Sequence, residues 1–277
     1  MAAGSAPKGM CRISDRMLLL VAGLIYLFLY APIAIVIFFS FNSAKSTQNF
    51  AGFSTKWYGE LLRDQTILDA FYNSLFVGVA ATAIATVIGT LTALALSRNE
   101  FRGKTFADSG IYAATVMPEI VVGVSLLVFF VAAGVGLGIT TIVIAHVAFT
   151  ISFVTIVVRA RLSGMDRSIE EAAQDLGANP VQTFLRVTLP LILPGVMAGA
   201  LLAFTLSFDD FVITFFVSGV GSSTLPLKIY SMLKFGVTPV INALSTVVVL
   251  VTLVIILGAS RFLGRDEARE VRRATEE

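Results

Sequence analysis

Long, almost unbroken apolar runs alternate along the chain with short polar segments. Six of the runs reach the roughly 20 residues that a helix needs to cross a hydrocarbon core. They fall at 17–40, 71–96, 110–133, 138–158, 193–217 and 241–263. The pattern predicts an all-α, polytopic membrane protein with six transmembrane helices over 17–263, an N-terminal tail at 1–16 and a C-terminal tail at 264–277.

One polar interruption has a pattern of its own. Residues 168–190 read SIEEAAQDLGANPVQTFLRVTLP. Ser168 followed by Glu171 has capping-box spacing and predicts a helix start. Gly177 falls where a left-handed residue ends a helix at little cost, and Asn179-Pro180 supplies a fresh N-cap with proline at the first helical position. In the second helix Val181, Phe184, Leu185 and Val187 share one side, and Pro190 is expected to limit its continuation. A helix-turn-helix knuckle is therefore expected within the charged loop at 159–190.

Composition agrees with a membrane setting: 56% of residues are hydrophobic and 14% charged, against typical soluble values of about 45–50% and about 25%. The positive charge is distributed by topology. Fifteen of the 20 lysines and arginines lie in the N-terminal tail, the loop after the second run, the knuckle loop, and the end of the last run with the C-terminal tail, and five lie in the other loops. Because cytoplasmic segments retain positive charge, both termini and the knuckle are expected to be cytoplasmic. The net charge of +2 then gives no support to nucleic-acid binding. The first run is too long for a signal-peptide core and lacks a small-residue cleavage site, so it is expected to be retained. Cys11 is the sole cysteine, which excludes an internal disulfide framework.

Apart from Arg261 at the very end of the last run, ionisable residues inside the apolar runs are few: Glu119, His146, Asp209 and Asp210. Such groups are costly in hydrocarbon, and function is the default hypothesis. Carboxylates without an intramembrane lysine or arginine favour a cationic cargo. On continuous helices Glu119 would lie ~14 Å from the cytoplasmic end of its span and Asp209 ~12 Å from the outer end of its own. Pro118 would weaken the helix beside Glu119. Adjacent Asp209 and Asp210 point about 100° apart on a helix, so one faces the path and the other a neighbouring helix, and which is which stays open. Glu119 has a structural alternative, a protonated carboxyl hydrogen-bonded between helices. His146 is expected to be a packed, neutral imidazole. Phe204, Phe208, Phe211 and Phe215 recur at helical spacing, and Phe208 is a candidate for cation–π contact with an ammonium. Outside the runs, Trp57, Tyr58, Leu61 and Leu62 suggest a short amphipathic helix, either a partner surface or an anchor at the membrane interface. The loop at 219–239 is a second candidate surface for a partner.

Glu171-Ala172-Ala173, three residues, Gly177, nine residues, Val187, one residue and Leu189-Pro190 resemble the EAA loop of ABC-importer permeases, with valine where that family usually has isoleucine. The stretches LAFTLSFDDFVITFFVSG at 202–219 and TLPLKIYSMLKFGVTPVINALST at 224–246 resemble the polyamine branch, as do FNSAKS and KWYGELLRD in the first loop. The chain is most similar to the second permease subunit of bacterial spermidine/putrescine importers, the putrescine type above all. The resemblance implies a type I ABC-importer permease fold in the bacterial inner membrane. It implies coupling to an ATPase through Glu171, Ala172, Ala173, Gly177, Leu189 and Pro190. It also implies a homologous second permease, two copies of a cytoplasmic ABC ATPase that bind ATP and Mg, and a periplasmic polyamine-binding protein. No GxxxxGK[ST] phosphate loop occurs in the sequence, so this chain is expected to bind no cofactor and catalyse nothing itself. An importer of another small substrate is the main alternative. A secondary cation transporter leaves the knuckle unexplained, and an intramembrane aspartyl enzyme fits adjacent Asp209 and Asp210 poorly.

Overall fold

A computed structural model describes residues 8–45, 49–254 and 257–258, with side chains from residue 17 onward. Among the described residues the regular secondary structure is helical, apart from one isolated antiparallel bridge between Asn42 and Phe53. Its helices are α1 (Lys8–Ser40), α2 (Lys56–Leu61), α3 (Gln65–Arg98), α4 (Lys104–Val116), α5 (Glu119–Ala132) and α6 (Ile139–Ser163). They continue with α7 (Ser168–Asp175), α8 (Pro180–Thr183), a π-helical turn (Phe184–Thr188), α9 (Leu189–Phe208), α10 (Val212–Val217), α11 (Leu225–Leu233) and α12 (Pro239–Val254).

Four helical stretches are long and apolar enough to cross a membrane, or five if the bent pair α4 and α5 is one span. Of the six expected spans, four or five are thus found among the described residues, and two of the expected runs are broken for local reasons. The run at 110–133 is broken by a 110° bend between Val116 and Glu119. Pro118 has no N–H to give, and Met117 before it is extended at ψ 133, as the residue preceding a proline prefers. The run at 193–217 stops at Phe208 and resumes at Val212. The run at 241–263 is helical to Val254, while 255–256 and 259–263 lie outside the described residues, as does the tail at 264–277. At the other end α1 begins at Lys8, inside the segment expected as a tail.

The chain divides into two compact units. The larger, Gln65–Ser231, is built on α3, α6 and α9. Ala85, Ala93, Val154, Val158, Leu162, Ile192, Val196 and Ala203 are the buried centre of this trio. Lipid is as apolar as leucine, so close packing of small residues has to hold such helices together. A Cβ added at Gly89 of α3 would lie 2.8 Å from Val154 Cβ and 3.1 Å from the Ile151 carbonyl oxygen of α6. A second buried cluster includes Phe130 of α5, Ile142, Ala145 and Phe149 of α6, and Ile213 and Val217 of α10. There Gly123 of α5 brings its backbone against Ile213 and Phe216 of α10, and the Thr141 hydroxyl donates to the Val217 carbonyl at 2.8 Å.

The other unit comprises the described parts of Met1–Asp64 and Met232–Glu277. Its first loop is organised by Asn42, which is fully buried. The Asn42 side chain donates to the Asn49 carbonyl at 2.8 Å and accepts from the Ala51 N–H at 2.9 Å, while its own carbonyl accepts from the Trp57 indole at 2.6 Å. Trp57 and Leu61 are consequently buried and only Leu62 of the expected apolar face is strongly exposed. The short helix is thus part of a folded loop. A helix lying at the interface on Trp57 is overturned, because satisfying the Asn42 polar groups draws the indole inward.

Gly89→Ala is expected to destabilise the larger unit by about 1–3 kcal/mol through overpacking against Val154. Adding Val154→Ala should recover part of the loss, and a double-mutant cycle of thermal unfolding in detergent measures the coupling.

Candidate functional site

Two places in the larger unit gather the residues singled out in the sequence. At the knuckle, α7 does start at Ser168, but by a different cap. The Ser168 N–H donates to Asp166 Oδ1 at 2.9 Å, and no side-chain capping bond from Ser168 to Glu171 is formed. That backbone hydrogen bond holds the exposed Asp166 carboxyl below the ordinary range of aspartate. The helix ends in a Schellman arrangement: Ala178 N–H bonds to the Ala173 carbonyl and Gly177 N–H to the Gln174 carbonyl. Gly177 has φ +90, the left-handed conformation that its lack of a Cβ permits. Asn179 then caps α8 reciprocally, accepting from the Gln182 N–H at 2.8 Å while Gln182 accepts from the Asn179 N–H at 3.1 Å.

Pro190 does not end the second helix. The π turn just before it gives the Leu189 N–H the Phe184 carbonyl as partner, one residue farther back than in an α-helix. This widened turn accommodates the proline, so the knuckle runs without a break into the rod that ends at Phe208. Glu171, Ala172, Gly177 and Pro190 are exposed, and Ala173 and Leu189 are half-buried. Leu176, Val181 and Leu185 present 90%, 65% and 54% of their surfaces, whereas Phe184 and Val187, expected on the same side, are half-buried. Its inward anchor is Glu170, which sequence reasoning missed. Glu170 Oε2 lies 3.0 Å from Arg98 Nε of α3 in an ion pair, and its Oε1 accepts from the buried Thr188 hydroxyl at 2.7 Å. Arg167 adds a bond to the Ser97 carbonyl at 2.6 Å. Two adjacent glutamates in a first turn look alike in sequence, and only the arrival of Arg98 and Thr188 distinguishes them.

The second place is where the two broken helices meet. α9 ends at Phe208, and Asp210 Oδ1 and Oδ2 accept from the backbone N–H groups of Ile213 (3.2 Å) and Thr214 (2.8 Å), which starts α10. Asp210 Oδ2 also accepts from the Thr214 hydroxyl at 2.8 Å and lies 3.1 Å from His146 Nε2. His146 is 2% exposed, with Nδ1 2.7 Å from the Ser207 hydroxyl. The histidine is packed and hydrogen-bonded, as expected from sequence. Asp209, by contrast, is exposed. Glu119 is exposed in the first turn of α5 and within electrostatic reach of both aspartates. The depths expected from uninterrupted helical rise do not apply, because the bend precedes Glu119 and the break takes in Asp209. Phe208 is half-buried, stacked on Phe204 at 5.5 Å and packed beside Gly78 of α3. Beyond the break Phe211 turns to Tyr230, with ring centroids 4.5 Å apart, so the four phenylalanines do not form one stripe.

A continuous membrane rod ending in an exposed helical knuckle, with a charged break at its far end, defines a helical membrane transport subunit. The chain belongs to the family of binding-protein-dependent transport system inner membrane components, whose model matches residues 85–264. It is a multi-pass inner-membrane protein. Over 245 residues it is 44% identical to the spermidine/putrescine transport system permease protein PotC of Escherichia coli strain K12, covering 88% of this chain and 92% of PotC. Over 264 residues it is 43% identical to the putrescine transport system permease protein PotI of the same strain, covering 93% of each. A chain of the bacterial alginate ABC transporter, crystallised with an alginate pentasaccharide-bound periplasmic protein, shares the fold with a TM-score of 0.73 at 18% identity, over 93% of this chain and 96% of that one.

Asp210→Ala leaves two backbone donors and a buried imidazole without their acceptor. It is expected to cost about 1–3 kcal/mol, read as a lower melting temperature in detergent. Asp209→Ala is expected to stay within about 0.5 kcal/mol in the same measurement.

Proposed function

We propose that this chain is the permease subunit of an ATP-driven importer, that it forms half of the translocation path for putrescine or spermidine, and that its knuckle couples the path to a cytoplasmic ATPase. The observation that carries the cargo is the 44% identity to PotC along nearly the whole of both chains. The alginate transporter shares the fold alone and does not decide the substrate.

In this reading the bent α4–α5 pair forms one span, and α12 with the residues after it completes six. Both termini are cytoplasmic, in keeping with the excess of basic residues on that side. The chain pairs with a homologous permease and sits on two ATPase copies, which bind ATP and Mg. It receives its cargo from a periplasmic polyamine-binding protein. Leu176, Val181 and Leu185 enter a groove of the ATPase, flanked by Glu171, Ala172 and Ala173, while Gly177 sets the angle between the two short helices. Closure of the ATPases moves the knuckle as a rigid body. The π turn carries the motion into α9 past Leu189 and Pro190, and Glu170 and Arg167 carry it into α3. At the far end of α9 the exposed Glu119 and Asp209 attract the ammonium groups of the cargo, with the Phe208 ring beside them. Asp210 serves the same place by holding the break in shape. Carboxylates spread over a break bind a flexible polycation without trapping it, which transport requires.

The reading is tested by uptake of labelled putrescine and spermidine into vesicles holding ATP, with the complete transporter and its binding protein. Glu119→Gln and Asp209→Asn are expected to lower uptake at least about ten-fold, the effect of one ~1.4 kcal/mol contact, with assembly and basal ATPase activity intact. Absence of uptake of either polyamine by the wild type removes the cargo. Coupling is checked separately: Val181→Asp places a charge on the open apolar face, and the ATPase should no longer copurify with the permease pair. Undiminished copurification would move the docking face elsewhere.

A further inference from the structure

A cavity of about 320 Å³ opens between the end of α3, the start of α4, the last turns of α6 and the segment leading into α7. Four cations line it, Arg98, Lys104, Arg159 and Arg167, with Leu96 and Leu162 among the apolar residues of its wall. All four cations come from different stretches of the chain. Three of them have a carboxylate partner: Arg98 meets Glu170 at 3.0 Å, Lys104 meets Glu100 at 2.7 Å, and Arg159 forms a two-pronged pair with Asp108. None of those carboxylates lines the cavity. The hydrogen bond recorded for the Arg167 guanidinium goes to the neutral Ser97 carbonyl, so the cations outnumber the carboxylates paired with them. Nε and Nη2 of Arg98 are both buried and make no hydrogen bond, so the contact of Nε with Glu170 is an ion pair without hydrogen-bond geometry.

A buried guanidinium nitrogen without an acceptor is costly unless something supplies one. The fork of arginine matches the oxygens of a phosphate, and several cations converging on one concave site hold such a group far better than one alone. The volume lies near the lower end of the range for small-ligand sites, about 300–1,000 Å³. The site is at the knuckle end of the helices, the end where a membrane protein meets phospholipid headgroups. We propose that this cavity binds a phosphate-bearing anion, either the headgroup of an anionic phospholipid or free phosphate, through Arg98, Lys104, Arg159 and Arg167. Arg98 and Arg167 are also the side chains that tie Glu170 and the α7 approach to α3, so the bound anion sits within the linkage between the knuckle and the membrane helices.

The test uses the assembled transporter in discs of phosphatidylcholine containing a minor share of phosphatidylglycerol, with protein-retained lipid counted by mass spectrometry. The double variant K104Q/R167Q is expected to retain less phosphatidylglycerol, roughly five-fold less for each cation removed. R102Q removes a cation of the same loop that is exposed, screened by solvent and outside the cavity, and should change retention less than about two-fold. A second arm compares melting in inorganic phosphate and in chloride at equal ionic strength. Stabilisation by phosphate that is lost in K104Q/R167Q assigns the site to free phosphate, and selective lipid loss without it assigns the site to the headgroup. Equal loss in R102Q, or no loss in the double variant, together with no phosphate-specific stabilisation, overturns the proposal. If the double variant does not assemble, R98K replaces it with the same outcomes, since it keeps a charge facing Glu170 and removes the unpartnered Nη2.

Discussion

Backbone N–H groups released at a helix break inside hydrocarbon have no water to turn to, and the architecture of the larger unit depends on how they are satisfied. Asp210 answers for the break after α9. Its two oxygens take the N–H groups of Ile213 and Thr214, and the second also takes the Thr214 hydroxyl. A carboxyl group would be expensive there alone, and His146, held in turn by Ser207, is a further hydrogen-bond partner to it. With α10 fixed, α5 packs on it through Gly123. The bend at Pro118 then leaves Glu119 near Asp209. One buried carboxylate thereby sets the place of two exposed ones.

The opposite end of α9 solves a different problem. Pro190 and Pro194 stand near the start of a helix that has to continue, and the first of them is met by a π turn instead of a stop. A helix that ended there would leave the knuckle on a flexible tether, whereas a widened turn keeps it continuous with the rod. Glu170 then closes the arrangement from the side by joining α7 to α3 and to Thr188. The knuckle is tied to the membrane helices through Glu170 and carries Leu176, Val181 and Leu185 exposed.

The local chemistry of the knuckle was legible in the sequence, since Gly177 and the Asn179-Pro180 pair act through their own backbone and nearest neighbours. The Ser168–Glu171 box was read with the same logic and did not form, because Asp166 reaches the same orphan donor from the other side. Apolar runs located the membrane stretches but not their continuity. Hydropathy sums side chains over a window and is indifferent to a 110° bend within it. Trp57 was read outward from spacing that a short surface helix would share, and a buried asparagine fifteen residues earlier turned it inward.

By itself, then, the sequence determined what depends on composition and near neighbours: a helical membrane chain, its polar interruptions, the turn at Gly177 and the few ionisable residues within apolar runs. Only the tertiary structure decided between chemically identical neighbours. Asp210 is buried and Asp209 exposed, and Glu170 is anchored where Glu171 is free. The physical reason is that a carboxylate's role is set by the donors that reach it. Glu170 has the Thr188 hydroxyl as donor and the Arg98 guanidinium as ion-pair partner, and Asp210 has the imidazole of His146 beside it, groups that packing brings together from distant parts of the chain.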